Sequence, residues 1–201
     1  YGSGAKPKFI GTGSSIASLI SATSKSFLVF NNIWVTDPTL DPADRYVQAK
    51  INTAFQLVGS SSYNVISNCV ISLIGVGVYW TGPGNTMTKC NVSNMRMVRN
   101  TPTNVNSNDD YGANAVVISS AGNTVSYCTF SGCWATSYDY GYDGGAIEFF
   151  GAGVSNNNII YNTFNDCNGT VECGSSNGGV MENNIFAYNK IINNGKFCIN
   201  S

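Results

Sequence analysis

Two glutamates, Glu148 and Glu172, each sit at the centre of a strand-like triplet, Ile147-Glu148-Phe149 and Val171-Glu172-Cys173. The chain is otherwise poor in charge: 10 Lys+Arg and 11 Asp+Glu make up 10% of its 201 residues, and it has no His. An ordinary soluble domain carries roughly 25% charged residues, so a carboxylate inside an apolar triplet is a candidate for chemistry. Two neighbouring carboxylates could act as an acid/base pair on a glycosidic bond, hold Ca²⁺, or accept bonds from sugar hydroxyls. The competing reading is two solvated surface glutamates.

The residues ahead of Glu148 strengthen the sugar reading. From Trp134 to Asp143 the chain alternates Tyr138, Tyr140 and Tyr142 with Asp139, Gly141 and Asp143. Flat apolar rings with polar rims suit stacking against sugars, although such a loop can equally pack on its neighbours. Asp109, Asp110 and Tyr111 offer a similar mixture earlier, and Tyr79 occupies the centre of Val78-Tyr79-Trp80. A lyase or epimerase would need a cation to stabilise an enolate-like intermediate. With no His, Lys196 beside Phe197-Cys198-Ile199 is the best-placed cation. Hydrolysis by paired carboxylates fits these residues better than elimination.

Composition removes other classes. A net charge of −1 leaves no electrostatic footprint for nucleic acid. No apolar run reaches the roughly 18 residues that cross a bilayer as a helix. Seven Cys without a C-x-x-C pair and without His argue against zinc.

The elements that must position the glutamates come from a repeat. A polar residue, usually Asn, is followed two residues later by an apolar one. After two more residues comes Asn or Cys, then any residue, then a second apolar position. The matches begin at Ser26, Asn64, Asn85, Asn123, Asn157 and Asn184, and their Asn/Cys anchors lie 21 to 38 residues apart. A further in–out–in strand precedes most copies: Phe55-Gln56-Leu57, Val78-Tyr79-Trp80, Val116-Val117-Ile118, then the two glutamate triplets, then Phe197-Cys198-Ile199. Each coil therefore has three short strands, and stacking at about 4.8 Å pairs every strand with its copies above and below. The expectation is an all-β, right-handed parallel β-helix of about six coils, with residues 1–201 as a single domain.

This register predicts three columns. Leu28, Ile66, Met87, Val125, Ile159 and Phe186 form one apolar column, and Ile33, Ile71, Val92, Phe130, Phe164 and Ile191 another. Between them runs a corner column of Asn31, Cys69, Cys90, Cys128, Asn162 and Asn189, with the cysteines expected inward and reduced. On the first-strand face the outward column is Gln56, Tyr79, Val117, Glu148, Glu172 and Cys198, which places the two glutamates about 5 Å apart at Cβ. Three insertions, Thr36–Thr53, Asn94–Asn114 and Trp134–Gly145, leave the same corner and should wall that face.

The repeat and its Asn-rich corners resemble right-handed parallel β-helix proteins such as pectate lyases, polygalacturonases, alginate epimerases and phage tailspikes. Tyr1-Gly2-Ser3-Gly4-Ala5-Lys6-Pro7 and Asp143-Gly144-Gly145-Ala146-Ile147-Glu148 are similar to segments of the secreted members. The resemblance implies a domain lacking its N-terminal and C-terminal portions, an extracellular or cell-surface location, and a substrate groove along the first-strand face. It implies no particular reaction, and the Asp-Asp constellation of a polygalacturonase is absent from the sequence. The resulting expectation is binding or processing of a polysaccharide or cell-surface glycan. Glu148 and Glu172 would be catalytic, and Tyr79, Tyr138, Tyr140, Tyr142, Asp139, Asp143 and Lys196 would bind substrate. No cofactor is required, with Ca²⁺ the ion the carboxylates could take. The alternative is a non-enzymatic adhesin, fibre or tailspike-like shaft.

Overall fold

A computed structural model describes residues 4–11, 15–174, 181–193 and 195–200. Among the described residues there is no helix, and the short strands stack into three parallel sheets. The chain is an all-β parallel solenoid of about six coils. The first-strand sheet contains Ile16–Thr23, Ile51–Val58, Val76–Trp80, Asn114–Ile118, Gly145–Phe150, Gly169–Gly174 and Lys196–Asn200, in that order. A six-stranded second sheet runs from Val29–Asn31 to Ile185–Ala187, and a seven-stranded third from Lys8–Ile10 to Lys190–Ile192.

The repeat dictates this stack because no coil can bury its apolar positions alone. Stacked, they merge into one core. Ile66, Met87, Val125 and Ile159 are fully buried in one column, and Ile71, Val92, Phe130 and Phe164 in the next. Phe130 and Phe164 stack ring on ring with centroids 5.1 Å apart, close to the strand spacing.

Two ladders hold the corners on either side of the second sheet. Asn64, Asn85, Asn123, Asn157 and Asn184 form the first; from Asn85 onward each amide oxygen accepts the backbone N–H of the Asn one coil earlier, at 2.8–3.0 Å. In the second, Cys90 Sγ accepts the N–H of Cys69 at 3.3 Å and Cys128 Sγ that of Cys90 at 3.4 Å. Asn162 Oδ1 then accepts the N–H of Cys128 at 2.9 Å, so sulfur and amide oxygen fill the same slot. Cys69, Cys90 and Cys128 are buried and joined by no disulfide, as expected. The residues before these corners, Asn68, Lys89, Tyr127, Tyr161 and Tyr188, all have φ between +52° and +58°. That region disfavours non-Gly residues by roughly 1–2 kcal/mol, and the ladder bonds offset the cost.

The register corrects the sequence reading at both ends. Phe30, not Leu28, lies opposite Ile66, and Val35, not Ile33, lies opposite Ile71. Leu28 instead takes the Asn slot, its N–H donating to Asn64 Oδ1 at 2.9 Å, while Ile33 O accepts the N–H of Val70 from the Cys slot. Asn31 leaves the corner column and faces outward, accepting from Ser67 Oγ. At the other end Glu172 pairs with Ile199, and Cys198 with Val171, so Cys198 is not in the glutamate column. Tyr1, Gly2, Ser3 and the side chain of Cys198 lie outside the described residues.

Candidate functional site

Glu148 and Glu172 are direct partners in adjacent strands, and the outward column reads Gln56, Tyr79, Val117, Glu148, Glu172. Alternation makes the neighbours of each glutamate face the core: Ile147 is fully buried and Phe149 is 6% exposed. Both carboxylates therefore rise from the floor of the first-strand face.

The three insertions build a wall beside that floor. In the second, Met97–Arg99 pairs antiparallel with Tyr111–Gly112; in the third, Ala135–Ser137 pairs antiparallel with Gly141–Asp143. The first insertion clamps them together. The Arg45 guanidinium donates to Gly132 O, Trp134 O and Asn94 Oδ1, each at 3.2 Å, and lies 4.4 Å from the Trp134 ring centroid. Asn100 Nδ2 donates to Tyr46 O and Thr136 O, and Asn100 Oδ1 accepts from the N–H of Tyr138. Arg96, fully buried, donates through its two terminal nitrogens to the carbonyls of Asn94, Met95 and Asp41, while its Nε has no acceptor.

Floor and wall enclose a groove of about 980 Å³. Gln56, Tyr79, Val117, Glu148 and Glu172 line its floor; Tyr111, Tyr140, Tyr142, Asp110 and Asp143 line its side, and Lys196 lies at one end. Most of the expected site residues meet here. Tyr138 and Asp139 do not line it: Tyr138 packs its ring near Tyr46 at 6.3 Å, and Asp139 turns back to accept the N–H of Asp109 and Asp110.

Asn114 escaped the sequence reading. It begins the strand next to Glu148, is 7% exposed, and donates through Nδ2 to Glu148 Oε2 at 2.6 Å. Its strand extends two residues ahead of the Val116-Val117-Ile118 triplet, and nothing in the periodicity marks it.

The electrostatics separate the carboxyls. Burial first, then the charges of Glu172 and Asp143, push Glu148 up to about 8 despite the bond from Asn114. Burial, with Glu172 and Asp110 adding to it, pushes Asp143 up to about 7, even though Asp143 Oδ1 accepts the Gly144 N–H at 2.7 Å. Gly144 has φ +94°, and a Cβ there would meet Ala113 O at 2.6 Å, so the turn that aims Asp143 requires glycine. Burial would raise Asp110 too, but bonds from Ser137 Oγ and the Thr101 and Asp139 N–H groups outweigh it and leave its carboxyl below the usual range.

One carboxylate group has the chemistry of a cation site. Oxygens of Asp109, Asp110 and Asp139 lie within 4.8 Å of one another, and Asp109 Oδ1 and Asp139 Oδ1 are buried without a hydrogen-bond donor. Hard oxygen donors of this kind suit Ca²⁺. Of the cluster, Asp110 lines the side of the groove, while Glu148 and Glu172 lie on its floor.

Compared with protein-family models, curated proteins and solved structures, the chain matches none.

Proposed function

We propose that the chain binds a polysaccharide along the first-strand groove and cleaves it, with Glu148 as proton donor and Glu172 as the partner carboxylate. The reading rests on one observation: a half-buried Glu148, held by Asn114 and set one strand away from Glu172 on the floor of an aromatic-walled groove. A carboxyl raised towards neutral pH can protonate a leaving-group oxygen, while a neighbour kept as the anion supports the developing positive charge. Strand spacing of about 4.8 Å is nearer the about 5–5.5 Å carboxyl separation of double-displacement glycosidases than the wider gap of inverting ones. Tyr140 and Tyr142 offer ring faces for sugar stacking, and Lys196 and Asp143 offer polar contacts at either side. This role places the protein outside the cell or on its surface. The chemistry needs no cofactor, and Ca²⁺ at Asp109, Asp110 and Asp139 would brace the wall rather than react.

The test is Glu148→Gln and Glu172→Gln, assayed separately for glycan binding and for release of reducing ends, with and without chelator. Binding retained with turnover lost in both supports the reading. Unchanged binding and turnover would remove it and leave the non-enzymatic adhesin or shaft as the better account.

A further inference from the structure

We infer that the groove takes an uncharged polysaccharide, discriminating against polyuronates in binding and against amino-sugar polymers in cleavage. This rests on the glycan reading above and narrows its substrate class.

The argument starts from where the charges lie. Of the 11 acidic residues in the chain, six gather in and behind the groove: Asp109, Asp110, Asp139, Asp143, Glu148 and Glu172. Of the 10 basic residues, Lys196 alone lines it. Arg99, on the wall, lies 3.6 Å from Asp109 and over the Tyr111 ring without itself lining the groove. Arg45 and Arg96 are turned into the wall and held by backbone carbonyls. A polyuronate carries a carboxylate on every sugar, so laying one along this floor sets like charges side by side in a partly desolvated cleft. Recognition of anionic sugars calls for guanidinium forks or a bridging cation in contact with the chain. Among the described residues no guanidinium lines this groove.

A cationic glycan meets the opposite difficulty. An ammonium group would be drawn to these carboxylates, but beside Glu148 it would favour the ionised form and strip the proton the proposed chemistry needs, so it hinders cleavage rather than binding. The rest of the lining is neutral: the amides of Asn52, Gln56 and Asn168, the Thr53 hydroxyl, and the rings of Tyr140 and Tyr142. Amides and hydroxyls match sugar hydroxyls, and rings match the C–H faces of pyranoses. Both halves of that lining serve a sugar without formal charge.

The experiment measures binding of the wild-type chain to immobilised glycans of three charge classes, and their cleavage. The uncharged set is xylan, mixed-linkage glucan, galactomannan and dextran; the anionic set is polygalacturonate and alginate; chitosan is the cationic probe. Each is run at about 0.02 M and about 0.5 M NaCl, where screening differs severalfold, with and without Ca²⁺. The expected result is at least one uncharged glycan bound about tenfold more tightly than either polyuronate, with an affinity that salt changes by less than about twofold, and chitosan held without being cleaved. Residual polyuronate binding should strengthen with salt as repulsion is screened. A polyuronate bound most tightly, with or without Ca²⁺, or chitosan cleaved as fast as an uncharged glycan, overturns this inference. If that binding is lost in Glu172→Gln, or turnover in Glu148→Gln, the glycan reading of the groove stands. If no glycan of any class binds, both fall together.

Discussion

The two sides of the solenoid use polar groups in opposite ways. At the corners of the second sheet every ladder Asn is matched: Asn123 Oδ1 accepts the Asn85 N–H, while Asn123 Nδ2 donates to Ser120 Oγ and Asn157 Oδ1. On the first-strand face the same coil spacing stacks Glu148 on Glu172 and brings Asp143 close enough to raise both its own carboxyl and that of Glu148. A parallel solenoid repeats whatever occupies a slot at about 4.8 Å. An amide repeated at that distance bonds to its copy, whereas a carboxylate repels it. The difference separates a spine that stabilises from a face that costs stability, and the face is where chemistry is to be sought.

The sharpest way to break this comparison is Glu148→Gln. If the face is functional, turnover should fall about 10²–10⁴-fold, the range for removing a general acid, while the melting temperature holds or rises. A clear drop in melting temperature with little kinetic change would make Glu148 part of the spine instead. Asn123→Ala should do the reverse. It strands the buried Asn85 N–H and removes three donor contacts, for a cost of about 2–4 kcal/mol. Urea denaturation should show this loss, with glycan affinity below the transition unchanged. Equal losses of stability from both substitutions would erase the distinction between the two sides.

The thiol stretch of the second ladder allows a finer comparison. Cys128 Sγ accepts the Cys90 N–H at 3.4 Å and donates to Ser126 O at 3.3 Å, geometry that a serine hydroxyl could partly reproduce. Cys128→Ser should therefore cost about 1 kcal/mol and Cys128→Ala about 1–2 kcal/mol, both less than Asn123→Ala. Thermal unfolding of the three variants ranks them directly. A thiol substitution that equals the Asn one would mean the sulfur bonds are as strong as the amide bonds.

Much of this contrast was legible before any coordinates. A fixed apolar spacing in the middle coils set the register, the anchors named the cysteine slot, and the in–out–in triplets put Glu148 beside Glu172. The first coil escaped because Leu28 and Ile33 fill the two slots that Asn and Cys hold elsewhere, so the polar-x-apolar pattern matched two residues out of phase. The last strand slipped by one because Phe197, Cys198 and Ile199 are consecutive apolar residues, and alternation alone sets phase. In the site, the wall was predicted from insertions sharing one corner, but not the hairpins that turn Tyr138 and Asp139 away from the groove. Asn114 carries no signature, since its role depends on a neighbouring strand 34 residues later in the chain.

The dependence on pH joins the two sides. Glu148 moves from a usual 4.5 to about 8 and Asp143 from 3.8 to about 7, so each holds its proton more tightly folded than unfolded. Between these values the folded state binds more protons than the unfolded one, and stability must fall as pH rises. Their contribution is complete below about pH 4 and is lost as pH passes 7 to 8. Asp110, shifted the other way, loses its contribution on the acid side instead. The ladder thiol of Cys90, pushed up to about 12, stays neutral throughout and adds no slope. The melting temperature should therefore be higher at pH 5 than at pH 8.5, by a few degrees for about 1–2 kcal/mol of linkage after groove water has relaxed around the charges. Glu148→Gln should flatten the upper part of that slope, and Asn123→Ala should shift the whole curve down without changing its shape. A melting temperature that climbs from pH 5 to pH 8.5 would mean both groove carboxyls are already ionised at neutrality. In that case Glu148 has no proton to give, and the proposed cleavage loses its acid.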